Sequence, residues 1–126
     1  MNAPTRTIET PQSKTKVDLR EWITGRQAEY IQEPILNSVK LGAENIAGAL
    51  PEMSVKSIDA REAVTESAHR EIEVYVAKVI ITNQDGSTSE RTNPVDCLEA
   101  ILDLPEDDTA FVQSEIANVK ADAKKK

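Results

Sequence analysis

Three of the six prolines in this sequence mark where its helices begin or end. Proline lacks the backbone N–H that a helix interior uses, and its ring crowds the preceding turn, but the first helical position tolerates both. Asn93 therefore predicts an N-cap, with Pro94 opening a helix that runs through "VDCLEAILDL". Pro105 closes that helix and opens the next. The positions expected to face inward on the first of these helices are Val95, Leu98, Ile101 and Leu102.

The helix after Pro105 begins with three carboxylates. Glu106, Asp107 and Asp108 lie where the positive end of the helix dipole favours negative charge. A calcium site explains them less well, since the alternating oxygen ligands and central glycine of a calcium loop are missing. The side chains expected to be buried on this helix are Phe111, Val112, Ile116 and Val119.

A strand followed by a capped helix is predicted near the N-terminus. In "KVDLR", Val17 and Leu19 alternate with polar residues, which is typical of a half-buried strand. Thr24 and Gln27 then have the spacing at which each side chain bonds the other residue's free backbone amide, which predicts a helix start.

Pro34 interrupts this first helix. Because it has no N–H to offer the carbonyl of Tyr30, the helix should kink there, or stop with a second segment following. Residues 43–50 then predict a helical fragment, which is followed by a loop with or without a short extended piece at "MSVKSI" (residues 53–58).

A central helix is expected in "TESAHREIEVYVAKVI", capped by Thr65 or Ser67. Its inward positions are Ala68, Ile72, Tyr75, Val76 and Val79. The β-branched residues that follow run into Asp85-Gly86, a dipeptide suited to a tight turn, and predict a small hairpin.

Together these patterns predict a predominantly helical α+β fold: one small domain of four to five helices with a short N-terminal strand and a small hairpin. Residues 17–120 are expected to form this single globular domain. Residues 1–16 should be a flexible N-terminal arm or at most a short edge strand, and residues 121–126 a disordered basic tail.

Charge and composition exclude several classes of function. The net charge is −7, and residues 17–123 carry 9 Lys and Arg against 21 Asp and Glu. Such a body repels phosphate groups, and four aromatic residues offer little for bases to stack on, so neither nucleic acid nor an anionic membrane is an expected partner. No apolar stretch has the length of a signal peptide core or of a membrane span.

Reactive side chains are scarce. Cys97 and His69 are the only residues of their types, so an internal disulfide and a Cys/His zinc set are excluded, and a reducing cytoplasm fits best. His69, with Glu62, Glu66 and Glu73 at helical spacings, could be a base or metal ligand, but a surface ion pair explains it more simply. Cys97 is better explained as a packed helical thiol than as a nucleophile. We therefore expect a non-enzyme without metal or cofactor.

A patch on the first helix is the best candidate for partner binding. Trp22 and Tyr30 are eight positions apart, so one helical face could present both, with Arg26 between them and Ile31 beside them. Trp, Tyr and Arg are enriched at binding hot spots, although ordinary packing of the two aromatic rings is the competing interpretation.

The succession "LREWITGRQAEYI", "ESAHREIEVYVAKV" and "DLPEDDTAFVQSEI", followed by a Lys-rich tail, resembles the tail assembly chaperones of long-tailed bacteriophages over residues 17–126. The resemblance implies a non-enzymatic protein of the infected bacterial cytoplasm, absent from the mature virion. It would keep the tape measure protein soluble and help recruit tail tube protein. A longer form made by ribosomal frameshifting near Lys124–Lys126 is a further implied partner.

Two alternatives remain at this point: a minor structural protein of a virion, and an acidic inhibitor that binds a host protein. The net charge of residues 17–123 motivates the inhibitor. Such an inhibitor would mimic nucleic acid and should concentrate its carboxylates in one stripe. In this sequence Asp and Glu are instead spread over all predicted helices, with Lys and Arg among them, which argues against the inhibitor.

Overall fold

A computed structural model describes residues 3–46 and 53–124, with side chains described for residues 3–37 and 61–124. It confirms the predicted α+β, predominantly helical fold class. The elements are β1 (Thr5–Glu9), β2 (Lys16–Arg20), α1 (Gly25–Ile46), α2 (Met53–Tyr75), β3 (Val76–Thr82), β4 (Thr88–Arg91), α3 (Pro94–Leu102) and α4 (Glu106–Lys124).

The chain divides into two compact units. Met1–Ile23 and Ile72–Lys126 make up what we call the sheet unit, and Thr24–Glu71 make up the helical unit. The sheet unit contains all four strands together with α3 and α4, while the helical unit contains α1 and most of α2.

The sheet is antiparallel with the strand order β1-β2-β3-β4. In its centre Val17 lies opposite Val79 and Leu19 opposite Val76, with a register shift between Asp18 and Leu19. All four apolar side chains are at most 1% exposed. The alternation predicted for β2 is thus confirmed, and the predicted hairpin is β3–β4, turning at Gly86 with φ +88°.

The core of the sheet unit lies between the sheet and the helices α3 and α4, which contact β2, β3 and β4. The helices contribute five side chains that are at most 1% exposed: Cys97, Ile101, Val112, Ile116 and Val119. The opposite sheet face is polar, with a hydrogen bond from Thr7 to Asp18 and an ion pair between Lys78 and Glu90. Within the sheet unit, α3 and α4 thus cover the apolar face of the sheet.

The N-terminal segment contains a short edge strand, the second of the two alternatives predicted for residues 1–16. Residues 5–9 form β1, an edge strand paired with β2, and a loop over residues 10–15 connects the two. Asp108, at the start of α4, holds this loop: its carboxylate accepts bonds from the backbone N–H groups of Gln12 and Ser13 at 2.9 and 2.7 Å and from the Ser13 hydroxyl at 2.7 Å. At the other end, α4 continues to Lys124, so it includes the first residues of the predicted basic tail.

The helix caps predicted at Thr24 and Asn93 are confirmed. The backbone N–H of Thr24 donates to Gln27 Oε1 at 2.9 Å, and that of Gln27 donates to Thr24 Oγ1 at 3.1 Å. The side chain of Asn93 accepts bonds from the N–H groups of Val95 and Asp96, with Pro94 at the first position of α3.

Two boundaries around α2 correct the sequence interpretation. Residues 53–58 begin α2 and are not extended, and Thr65 lies inside the helix, where its hydroxyl bonds the carbonyl of Arg61. The helix ends at Tyr75, so Val76 and Val79 belong to a strand. The β-branched residues that continue to Thr82 favour a strand, and β2 supplies the partner that makes one.

The outward surface of α3 is a further correction. Val95 and Leu102, expected to face inward, are 54% and 41% exposed. Cys97 and Ile101, four residues apart, set the buried face, and Val95 and Leu102 lie on the opposite side of a 3.6-residue repeat.

The predicted break at Pro34 does not end the helix, because α1 runs continuously from Gly25 to Ile46. Proline leaves the Tyr30 carbonyl without its usual helical donor. Arg70 of α2 supplies a replacement, since its Nη1 donates to that oxygen at 2.9 Å. Ser67 donates to the next carbonyl, that of Ile31, at 2.7 Å. Side chains of α2 thus compensate for the proline in α1.

We predict that Asp108→Asn lowers the melting temperature by several degrees at pH 7, because an amide cannot accept from all three donors. Burial alone would raise the pKa of Asp108, but the bonds from Ser13 and Gln12 lower it below the ordinary value of 3.8. The stabilisation is therefore complete above that pH and is lost as pH falls through the lower pKa of the folded state.

Circular dichroism melts between pH 2 and 7 measure this effect. The difference in melting temperature between the parent protein and the Asp108→Asn variant should become smaller below about pH 4. Asp107→Asn is the control, since within the described residues the exposed Asp107 accepts only one bond, from the Gln12 side chain at 2.9 Å. Equal destabilisation by both substitutions at pH 7 would contradict the assigned role of Asp108.

Candidate partner-binding surfaces

The four residues of the predicted patch do not share one helical face. Trp22 precedes α1 and belongs to the sheet unit, whereas Arg26, Tyr30 and Ile31 lie on α1 in the helical unit. Trp22 and Tyr30 are 41% and 40% exposed, and Arg26 is also exposed. Ile31 is buried, at only 7% exposed. Trp22, Arg26 and Tyr30 thus remain accessible for partner binding, and Ile31 does not.

Tyr30 is held in place by Arg70. The guanidinium carbon lies 4.4 Å from the centre of the Tyr30 ring, in addition to its bond to the Tyr30 carbonyl. Arg70 Nη2 contacts Glu66 at 3.0 Å, and Nη1 lies 3.6 Å from Glu33. The arginine therefore joins α1 to α2, which gives it a structural role independent of any partner.

Large apolar side chains are exposed on the helices of both units. The side chains of Leu36 on α1, Val64 on α2 and Val95 on α3 are 59%, 58% and 54% exposed. Leu102 of α3 and Ile35 of α1 are exposed to a smaller extent, 41% and 38%. Single apolar side chains are common on protein surfaces, but two of these lie on the same outward strip of the nine-residue helix α3.

A groove of about 360 Å³ runs beside that strip, and we call it the α3 groove. It lies in the sheet unit, between α3 and the β3–β4 hairpin. The side chains that line it are Ile81, Arg91, Asp96, Glu99, Ala100, Asp103 and Leu104. Three carboxylates thus face one guanidinium, and within the described residues none of the three forms an ion pair.

Cys97 and His69 have the environments of ordinary structural residues. Cys97 is fully buried, and its thiol donates to the carbonyl of Arg91 at 3.2 Å. Burial, and next the charge of Asp96, raises the pKa of this thiol, which favours the protonated form. His69 is half-buried on α2, beside a shallow depression with Arg61 and Glu62. No cluster of three or more metal-ligating side chains occurs within residues whose side chains are described.

Comparison of the chain with models of known protein families, with curated proteins and with solved structures finds no match. In the described part of the chain, no helix combines the length and the apolar character needed to cross a membrane.

Sequence reasoning did not find the α3 groove. Asp96, Glu99 and Asp103 follow helical spacing, a signal visible in the sequence, but the opposite wall comes from Ile81 and Arg91 on a hairpin. Only the packing of α3 against β3 brings these walls together.

We predict that Arg70→Met destabilises the protein by about 1–2 kcal/mol, largely because the Tyr30 carbonyl loses its donor. In a Pro34→Ala background the same substitution should cost roughly 1 kcal/mol less, because the N–H of the new alanine can bond that carbonyl. Urea unfolding of the four proteins in the cycle measures the difference. Glu66→Gln, which removes only an ion pair, is the control and should cost about 0.5 kcal/mol. An equal cost of Arg70→Met in both backgrounds would refute this compensation.

Proposed function

We propose that this protein is a tail assembly chaperone of a long-tailed bacteriophage, which binds the tape measure protein and keeps it soluble until tail tube subunits surround it. The supporting observation is that large apolar side chains are exposed on the helices of an acidic protein, with Leu36, Val64 and Val95 each more than half exposed. The sequence resemblance over residues 17–126 points to the same role.

The chemistry of these surfaces suits such a client. A tape measure protein is a long helical chain, and helical chains with apolar stripes are bound by apolar side chains arranged along grooves and helices. A net charge of −7 keeps a complex of exposed apolar chains dispersed through mutual repulsion. In this proposal the protein acts by binding in the host cytoplasm and leaves before the virion is complete. Trp22, Arg26 and Tyr30 are additional candidate contacts.

We predict that co-expression with the tape measure protein moves that client from the insoluble to the soluble fraction, and that the two are purified together. A triple variant with Leu36→Ser, Val64→Ser and Val95→Ser should lose most of this effect, because it removes the apolar contacts while keeping the charge. The fraction of soluble tape measure protein, quantified on gels, is the measurement.

The control variant carries Gln32→Ser, Gln113→Ser and Asn118→Ser, which also place serine at three exposed helical positions. It should behave like the parent protein. A client that stays insoluble with the parent protein would refute the proposed function. Mass spectrometry of the purified complex also tests the alternatives: a host nucleic-acid enzyme would favour the inhibitor, and peptides beyond Lys126 would establish the frameshifted form.

A further inference from the structure

Two of the three carboxylates of the α3 groove lie where they do not stabilise the helix, while Asp96, in the first turn, is favoured by the helix dipole. Glu99 lies in the last turn of α3 and Asp103 is its C-cap residue, at the negative end of the helix dipole, where cations are favoured. The last turn contains no basic residue. The next helix, α4, is the opposite case, with three carboxylates in its first turn and Lys124 in its last.

Among the described residues, the carboxylates of the α3 groove also lack local partners. The side chains of Asp96, Glu99 and Asp103 accept no hydrogen bond and form no ion pair with residues that the structure describes. Arg91, the cation of the groove, has its Nη1 on the backbone carbonyl of Glu90 at 3.4 Å. The groove therefore has unneutralised negative charge.

Apolar contacts lie directly beside this charge. Val95 and Leu102 are seven residues apart on the outward strip, with Glu99 between them, a spacing of two helical turns or roughly 10 Å. Leu104 and Ile81, both half-buried, add apolar surface to the lining of the groove. A helix lying along α3 could thus place apolar side chains on the strip and basic side chains in the groove.

We propose that the α3 groove and the Val95–Leu102 strip bind a basic, amphipathic helical segment of a partner protein. This inference rests on the proposed function, since the client is taken as the source of that segment. Lysine or arginine side chains of the segment would pair with Asp96, Glu99 and Asp103. Its apolar residues, at heptad spacing, would cover Val95 and Leu102.

The first experiment measures binding of a fluorescent 21-residue Leu/Lys amphipathic peptide to the full chain by anisotropy in 150 mM salt. Asp96→Asn, Glu99→Gln and Asp103→Asn together should weaken binding about tenfold or more. A control with Glu9→Gln, Glu29→Gln and Glu62→Gln changes the net charge equally at exposed positions elsewhere and should weaken binding less than twofold. Equal effects of both triple variants, or no effect of either, would overturn the proposal.

Further variants test whether apolar contacts contribute to binding and whether the neutralised groove variant remains folded. Val95→Ser with Leu102→Ser should also weaken binding about tenfold, and a Leu/Glu peptide of the same length should bind far more weakly than the Leu/Lys peptide. The neutralised groove variant should melt close to the parent protein, because the loss of the favourable first-turn charge of Asp96 is offset by removal of the charges of Glu99 and Asp103 at the C-terminal end of α3. A lower melting temperature together with weaker binding would contradict the assigned role of these carboxylates.

The co-expression assay then distinguishes failure of this inference from failure of the proposed function. If the parent protein solubilises the tape measure protein and the neutralised groove variant does so equally well, the chaperone function stands and the groove is not its binding site. If the parent protein itself fails, the proposed function falls, whatever the peptide result.

Discussion

The pairing of β2 with β3 is the constraint on which the sheet unit depends. Val17 and Leu19 meet Val79 and Val76 across two strands that are far apart in sequence, and all four side chains are almost completely buried. Closing so long a stretch of chain costs entropy, which the burial of these branched side chains offsets. Once the pair exists, β1 and β4 extend it at its edges, and α3 and α4 cover one face.

Features set by neighbouring residues could be predicted from the sequence, and features set by distant ones could not. The caps at Thr24 and Asn93 depend on atoms within three residues, so spacing was sufficient to find them. The change from helix to strand at Val76 was missed because its spacing from Ile72 also fits a helix, and only pairing with β2 decides. Pro34 stays within α1 because Arg70 compensates for it from another helix.

The candidate site shows the same limit. The helical period placed Trp22 on a face with Tyr30, but α1 begins after the cap at Thr24, so Trp22 is not helical. Val95 and Leu102 were predicted to face inward, but Cys97 and Ile101 form the buried side of α3. An apolar residue gives a sequence pattern the same signal whether it faces a core or a partner, so the exposure of these two side chains required the structure.

Stability alone does not explain the outward surface of α3. A polar side chain at Val95 would avoid exposing apolar surface, and a basic one at Glu99 would suit the helix dipole. Both departures occur on one short helix, while α4, directly after it, has the charge distribution that a helix favours. The exposed apolar surface and the unfavourable charge are two independent costs in stability at one surface. A partner would explain both if its apolar side chains covered the strip and its cations entered the groove. In this proposal α3 presents the binding surface, and the buried residues Cys97 and Ile101 hold that surface on the sheet.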